Sequence, residues 1–151
     1  MKQFLILLTV VLHLVNNCTA QTAEDSVKAT INAMFKGMKD ADAQLLRSTF
    51  ADSAVLQTIV QTKEGKTMVR NEVIKDFVDF VSTQKKDAAD ERITFGTVLV
   101  DGPLAIAWTP YKFYYEGKFS HCGVNSFQLV RLNGEWKIQY IIDTRRRVGC
   151  E

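Results

Sequence analysis

The sequence has few of the residues from which metal and redox sites are built. Its 151 residues include two histidines and three cysteines. One histidine lies in the apolar stretch near the N-terminus, so we expect His121 to be the only one in the mature chain. That excludes a metal site built from several histidines of one subunit. Cys122 and Cys150 lie too far apart for a zinc signature or a C-x-x-C redox pair, so no metal and no cofactor is predicted.

The sequence also lacks motifs for phosphate binding and nucleophilic catalysis, and it lacks a strong net charge. It contains no glycine-rich phosphate loop and no nucleophile elbow. Without residues 1–20 the 19 basic residues become 18, because Lys2 is lost, against 17 acidic ones, which leaves a net charge of +1. This balance gives no electrostatic argument for nucleic acid. The basic run at 145–147 is interpreted as a solvated strand end.

The first twenty residues are typical of a secretory signal. Lys2 precedes the apolar run FLILLTVVLHLV, which is too short to span a bilayer, and the small residues of NNCTA precede a cut after Ala20. The alternative is a lipoprotein signal in which Cys18 becomes the lipidated first residue. Asn17 argues against it, because such signals usually carry a small residue there. Both alternatives predict an exported protein, periplasmic or secreted, with membrane attachment only through a lipidated Cys18.

Residues 21–151 are predicted to form a single domain, which begins with helices. Apolar residues recur at helical spacing from residue 22 to 39, and Thr22 fits the capping position. Shorter helices are predicted over 42–48 and 71–83. The buried side of the first helix is expected to carry Val27, Ile31, Met34, Phe35 and Met38, and that of the third to carry Val73, Ile74, Phe77, Phe80 and Val81.

The rest of the domain is predicted to be antiparallel sheet. A hairpin is expected between the second and third helices, around Glu64-Gly65. Three further turn pairs, Asp101-Gly102, Glu116-Gly117 and Asn133-Gly134, predict four more strands in series. The fold class is therefore α+β, with helices packed on a curved, mostly antiparallel sheet.

The tight turns also predict which side chains share a face. If there is no β-bulge, Lys112 lies opposite His121, Trp108 opposite Asn125, and Phe127 opposite Tyr140. The face covered by the helices is then predicted to hold Phe95, Leu99, Leu104, Ile106, Trp108, Lys112, Tyr114, Phe119, His121, Asn125, Phe127, Leu129, Trp136, Ile138, Tyr140 and Ile142. A bulge near Pro110 would exchange the faces beyond it.

The opposite face is predicted to be mixed in character and to be covered by a second copy of the chain. It is expected to carry Tyr111, Phe113, Tyr115, Cys122, Val124, Ser126, Gln128, Ile141, Asp143 and Arg145. This set is too apolar for the whole face to be exposed to solvent. The same register places Cys122 beside Arg145, five residues before Cys150. In an exported protein these thiols either form a disulfide or stay reduced, and the sequence leaves both alternatives open.

The order of elements over residues 23–145, with the closing segment GVNSFQLVRLNGEWKIQYIIDTRR, resembles the nuclear transport factor 2-like superfamily. This superfamily includes ketosteroid isomerase, scytalone dehydratase and SnoaL-type cyclases, and the ending resembles small exported SnoaL-like and lumazine-binding-like members. The resemblance implies a cone-shaped fold with a pocket for an apolar ligand and an Asp or His inside as proton acceptor. By position His121 fills that role, whereas no strand carboxylate is expected on the inward face.

The sequence is therefore compatible with three functions. The first is binding of a small, apolar or amphipathic ligand in a cavity lined by Trp108, Lys112, Tyr114, Asn125 and Tyr140, because polar groups in an aromatic surround are typical of such sites. The second is an isomerase, cyclase or dehydratase with His121 as general base. The third is a non-catalytic association or dimerisation module that acts through its outer sheet face. The simpler alternatives are that His121 has only a structural role and that Asn125 is buried with its hydrogen bonds satisfied by the backbone.

Overall fold

Three helices cover one face of the sheet in the computed structural model, which describes residues 23–150. Helix α1 spans residues 23–40, α2 spans Ala43–Ser48 and α3 spans Ile74–Ser82. All five residues predicted for the buried stripe of α1 are buried, so that prediction is confirmed. Helix α3 begins three residues later than predicted, because Asn71 and Glu72 belong to a strand and Val73 is the exposed N-cap. The proposed signal sequence and Thr22 lie outside the described residues.

Seven strands of the described part of the chain form one open, mixed sheet. They are β1 (Phe50–Gln61), β2 (Thr67–Glu72), β3 (Ala89–Ile93), β4 (Thr97–Asp101), β5 (Leu104–Tyr115), β6 (Lys118–Leu132) and β7 (Glu135–Arg146). Their order is β2-β1-β7-β6-β5-β3, and β4 pairs with the other end of β5. Among the strands of residues 23–150, only the β1–β7 pair is parallel. The predicted α+β class, the first hairpin and the four-stranded meander are all confirmed.

Two β-bulges overturn part of the predicted register. Tyr114 pairs with Phe119 as expected, but Phe113 then pairs with His121, so Ser120 is an extra residue in β6. Leu129 pairs with Ile138 as expected, but Gln128 then pairs with Tyr140, so Gln139 is an extra residue in β7. Each extra residue exchanges the faces of everything beyond it. The predicted weak point at Pro110 is regular and pairs with Val124.

The bulges reverse the orientation of β5 and of the second half of β7. Ala105, Ala107 and Thr109 are buried beneath the helices, and the larger residues between them face outward: Leu104, Ile106 and Trp108 are 48%, 41% and 51% exposed. The inward assignment of Leu99 and Phe119 was also wrong, because both are exposed. The inward positions of Phe127, Leu129, Trp136 and Ile138 are confirmed by their burial.

The core lies between the helices and this inner face of the sheet. Phe127 is fully buried and meets Phe35 of α1 edge to face, with 6.2 Å between ring centroids. The tight α1–α2 junction depends on Gly37, because a Cβ there would lie 2.7 Å from the backbone nitrogen of Leu46. Asp42 caps α2 by accepting a hydrogen bond from the Leu45 amide at 2.9 Å.

The C-terminal end is fastened to the sheet by a disulfide. Cys122 and Cys150 are bonded, with 5.8 Å between their Cα atoms, which decides between the two alternatives left open by the sequence. Cys122 pairs with Arg146 instead of Arg145 because of the bulge in β7. Across residues 23–150, every helix is too short or too polar to cross a membrane.

Candidate functional site

A cavity of about 440 Å³ opens between α1, α3 and the inner face of the sheet. Most of its wall is apolar or aromatic, and the residues of that kind are Met34, Phe35, Met38, Leu56, Phe77, Phe80, Ala89, Tyr111, Phe113, Tyr115 and Ile141. The polar and charged residues that line it are Arg70, Glu72, Asp76, Glu91, His121, Asn125, Asp143 and Arg145. The volume and the mixture of an apolar wall with a few polar groups suit a small organic molecule.

Glu91 of β3 and Asn125 of β6 form the first part of the polar wall. The Asn125 side-chain nitrogen donates to Glu91 Oε1 at 2.8 Å and also lies 3.5 Å from Thr109 Oγ1. Desolvation raises the pKa of Glu91 to about 7; the bond from Asn125 opposes this shift and the charge of Asp143 adds to it. At neutral pH, Glu91 is therefore present in both its protonated and its ionised form.

Asp143 and Arg145 of β7, with Tyr111 of β5, form the second part. Asp143 Oδ2 accepts hydrogen bonds from the Tyr111 hydroxyl at 3.1 Å and from Arg145 Nε at 2.8 Å. Burial raises the pKa of Tyr111 above its ordinary value, with further contributions from the charges of Glu91 and Asp143. Tyr111 therefore remains a neutral donor throughout the physiological range.

Gly123 makes room for this arrangement. A Cβ at this position would lie 1.7 Å from the carbonyl oxygen of Thr144 and 2.8 Å from Cε1 of the Tyr111 ring. The missing side chain lets the Tyr111 hydroxyl reach both Asp143 Oδ2 and the Thr144 carbonyl, the latter at 3.0 Å. A glycine inside a strand marks such a close approach of another group.

His121 follows the bulge in β6 and stands on the aromatic part of the wall. Its ring centroid lies 5.1 Å from that of Phe113 and 5.7 Å from that of Tyr111. Desolvation lowers its pKa, the charges of Arg145 and Arg147 lower it further, and Asp143 opposes them. The imidazole is therefore neutral at pH 7, with Nδ1 3.0 Å from the Ser120 hydroxyl.

Polar side-chain atoms in and behind the wall lack hydrogen-bond partners within residues 23–150, and those that are not fully buried are left for a ligand. Across residues 23–150, the buried side-chain polar atoms without a hydrogen-bond partner are Thr58 Oγ1 and Asp143 Oδ1, which belong to residues paired across β1 and β7. Glu91 Oε2, Asn125 Oδ1 and His121 Nε2 also make no hydrogen bond within that range. These three atoms do not belong to the fully buried atoms without a partner, so they are accessible from outside the protein.

The cavity carries an excess of negative charge. Arg70 pairs with Glu72 at 2.6 Å and Arg145 with Asp143 at 2.8 Å. The other two lining carboxylates, Glu91 and Asp76, form no ion pair within residues 23–150. Because Asp76 is exposed at the start of α3 and Glu91 is largely covered, the wall presents one solvated and one desolvated carboxylate.

The structure brings together only two of the six residues that the sequence predicted for the site. His121 and Asn125 line the cavity, whereas Trp108, Lys112, Tyr114 and Tyr140 do not. Trp108 is half exposed on the outer face, and Lys112 pairs with Cys122 instead of His121. The Tyr114 ring stacks under the Arg92 guanidinium at 4.2 Å, and the Tyr140 hydroxyl donates to Gln57 Oε1 at 2.6 Å.

Sequence reasoning missed the residues that the bulges turn inward. The residues wrongly assigned to the outer face are Tyr111, Phe113, Tyr115, Ile141, Asp143 and Arg145. The expectation that no strand carboxylate faces inward was also wrong. Glu91 was not among the predicted site residues, because the short strand β3 has no apolar alternation. Gly123 was the one available signal, since an isolated glycine in a strand indicates close packing.

The chain belongs to the family described as "Putative lumazine-binding", which matches residues 22–140. It is similar in structure to an NTF2-like protein with a cystatin-like fold from Novosphingobium aromaticivorans, with a TM-score of 0.68, 13% identity and 87% of each chain covered. It is also similar to an NTF2-like protein of unknown function from Methylobacillus flagellatus, with a TM-score of 0.60 and 20% identity over 81% of this chain and 90% of that one.

A third similar structure is described as a putative dehydratase from the NTF2-like family of Streptomyces avermitilis, with a TM-score of 0.63 and 15% identity over 84% of this chain and 98% of that one. At these identities the likeness shows the fold alone. The fold is that of the nuclear transport factor 2-like superfamily, as the sequence predicted. A comparison with curated proteins found no match.

Proposed function

We propose that this protein binds a small, flat, amphipathic molecule in the cavity between α1, α3 and the sheet. One observation carries the proposal: an apolar and aromatic cavity of about 440 Å³ contains a connected polar cluster on one side. An apolar body would pack against Phe77 and Phe80, while its polar edge would meet Glu91, Asn125 and His121. The family description makes lumazine, a planar heterocycle with N–H and C=O groups, the first ligand to test.

Equilibrium dialysis of lumazine against the mature protein tests this proposal. Phe80 lines the cavity and is 45% exposed, so Phe80→Ala should leave the fold intact and weaken binding about fivefold, the effect of losing about 1 kcal/mol of apolar contact. Phe119→Ala is the matched control, because Phe119 is also 45% exposed but does not line the cavity. Equal affinity in all three proteins would place the ligand elsewhere.

Export remains part of the proposal. The Cys122–Cys150 disulfide supports an oxidising compartment, since such bonds are rare in the cytosol. Mass spectrometry of protein recovered from the source cells should find residue 21 at the N-terminus. A lipidated Cys18 would instead show a membrane-attached form, and an intact Met1 would contradict export.

A second copy of the chain is proposed to cover the outer sheet face. The reversed orientation of β5 replaces the β5 residues predicted for this face with Leu104, Ile106 and Trp108. Together with Leu99 they form an exposed apolar group. A two-fold axis through such a group buries it against itself. Sedimentation velocity should find a dimer, and Ile106→Lys should give a folded monomer. A monomeric wild type at micromolar concentration would reject the dimer.

Proton transfer by His121 is the second candidate activity. It is favoured by the position of His121 on the cavity wall and by the lowered pKa, which leaves the imidazole free to accept a proton. A histidine base of this kind can begin an isomerisation, cyclisation or dehydration by removing a proton next to a carbonyl. Exchange of the α-protons of 2-tetralone in D₂O, followed by NMR, should therefore be faster with wild type than with His121→Ala. Equal rates would assign His121 a role in binding only.

A further inference from the structure

We propose that the ligand of this cavity carries two adjacent N–H donors, as in an amidine or a 2-amino-heterocycle, and that Glu91 is their acceptor. This rests on the proposed binding function and specifies the class of molecule. Glu91 lines the cavity, and only its Oε1 is engaged, by the side-chain nitrogen of Asn125. Oε2 is accessible and makes no hydrogen bond within residues 23–150.

The geometry of a carboxylate favours this class of donor. A carboxylate has about four acceptor positions, of which Asn125 uses one. Two parallel N–H groups on a planar fragment match the two oxygens, as a guanidinium does in an arginine–carboxylate pair. The bond from Asn125 holds the carboxyl group in place, so little freedom is lost when the ligand binds.

The charges around the cavity favour the same class. The two lining arginines are already paired with Glu72 and Asp143. Glu91 and Asp76 thus form no ion pair among the described residues, so an anionic ligand would be repelled. A neutral or cationic group that donates N–H bonds would instead compensate the desolvated carboxylate.

Binding of such a ligand should depend on pH through Glu91. The groups that face Glu91 across the cavity are Tyr111, His121, Asp143 and Arg145 from the sheet and Asp76 from α3, with the Arg70–Glu72 pair on β2. Tyr111 stays protonated and His121 stays neutral near pH 7, because burial shifts their pKa values away from that range. Two N–H donors need the ionised carboxylate, so affinity should rise as Glu91 loses its proton.

Lumazine and pterin provide a matched pair of probes. They differ at the 2-position and at N1: lumazine has a 2-oxo group and an N1–H, whereas pterin has a 2-amino group and an unprotonated N1. Only pterin therefore has two adjacent N–H donors, at N3 and on the 2-amino group. At pH 7.5, pterin should bind wild type about tenfold more tightly than lumazine, the effect of a hydrogen bond to a charged group. Glu91→Gln should remove this preference while lumazine binding is retained, and the pterin advantage should shrink between pH 7.5 and pH 6.

The outcomes separate this inference from the binding function. Equal affinity for the two probes, or a preference for pterin that survives Glu91→Gln, would overturn the assignment of Glu91 and leave the binding function standing. Binding of neither probe to wild type would overturn both. Circular dichroism and the retained lumazine affinity show that the Glu91→Gln protein is folded, so loss of pterin preference reports on the carboxylate itself.

Discussion

Replacing Glu91 by Gln should stabilise the protein at alkaline pH and have little effect at acid pH. The glutamine oxygen can still accept the bond from Asn125, but it carries no charge that burial would penalise. The pKa of Glu91 rises from 4.5 to about 7 in the folded protein. The folded state therefore holds this proton more tightly than the unfolded state, and wild-type stability falls as pH increases from 4.5 to 7.

The size of the effect follows from the same values. A difference of about 2.5 between the two pKa values, at about 1.4 kcal/mol per pKa unit, gives about 3 kcal/mol. The difference in free energy of unfolding between Glu91→Gln and wild type should thus be about 3 kcal/mol larger at pH 8 than at pH 4.5. Most of this difference should develop between pH 5 and pH 7.

Urea denaturation at several pH values, with the disulfide intact, measures this difference. Glu64→Gln is the control, because Glu64 is exposed in the β1–β2 turn and its pKa is lowered by a hydrogen bond from Thr62. Its effect should be the same from pH 5 to pH 8. A Glu91→Gln effect that is also independent of pH would show that Glu91 is not desolvated and would refute the reasoning.

Two further predictions concern the framework of the cavity. Gly123→Ala should lower the free energy of unfolding in urea by about 3 kcal/mol, because its Cβ would overlap the Thr144 carbonyl and the Tyr111 ring. The control Gly65→Ala, at a positive φ in open space, should lower it by only about 1 kcal/mol. Similar losses in the two variants would contradict the close packing at Gly123. Reduction of the Cys122–Cys150 bond, which closes a loop with a sequence separation of 28, should lower the free energy of unfolding by about 3 kcal/mol. A thiol titration that finds both cysteines free before reduction would contradict the bond.

Periodicity and turn chemistry were enough to predict the elements of the fold. The stripe of α1 from Val27 to Met38 was identified in full, because 3.6-residue spacing depends on local sequence alone. The three glycine turns placed the hairpins of the meander, because positive φ is confined to few residues. The first turn is Gly102-Pro103 instead of Asp101-Gly102, however, so Leu99 pairs with Ile106 and not with Leu104. The α+β class and the family followed from these elements.

The site was predicted less well because its orientation depends on two residues that the sequence does not mark. Ser120 and Gln139 are inserted where two strands bend, and neither is a glycine or a proline. The choice of the larger side chains as core also failed in β5. Ala105 and Ala107 lie opposite Leu129 and Phe127, whose bulk fills the space above the sheet.

His121 and Asn125 were placed correctly because β6 carries the core residues Phe127 and Leu129 on the same alternation. Asp143 and Arg145 lie beyond the second bulge and were therefore assigned to the wrong face. Glu91 could not be found at all, since a short strand of mostly polar residues has no pattern of its own. The residue on which we base the ligand class is thus visible only in three dimensions.

An NMR titration of ¹⁵N-labelled protein with pterin at pH 7.5 tests the central claim most directly. We expect the largest amide shift changes at Glu91, Tyr111, His121 and Asn125, which surround the cavity, and little change at Leu104 and Trp108 on the outer face. A spectrum that does not change, or changes that centre on the outer face, would contradict a ligand-binding cavity beneath the helices.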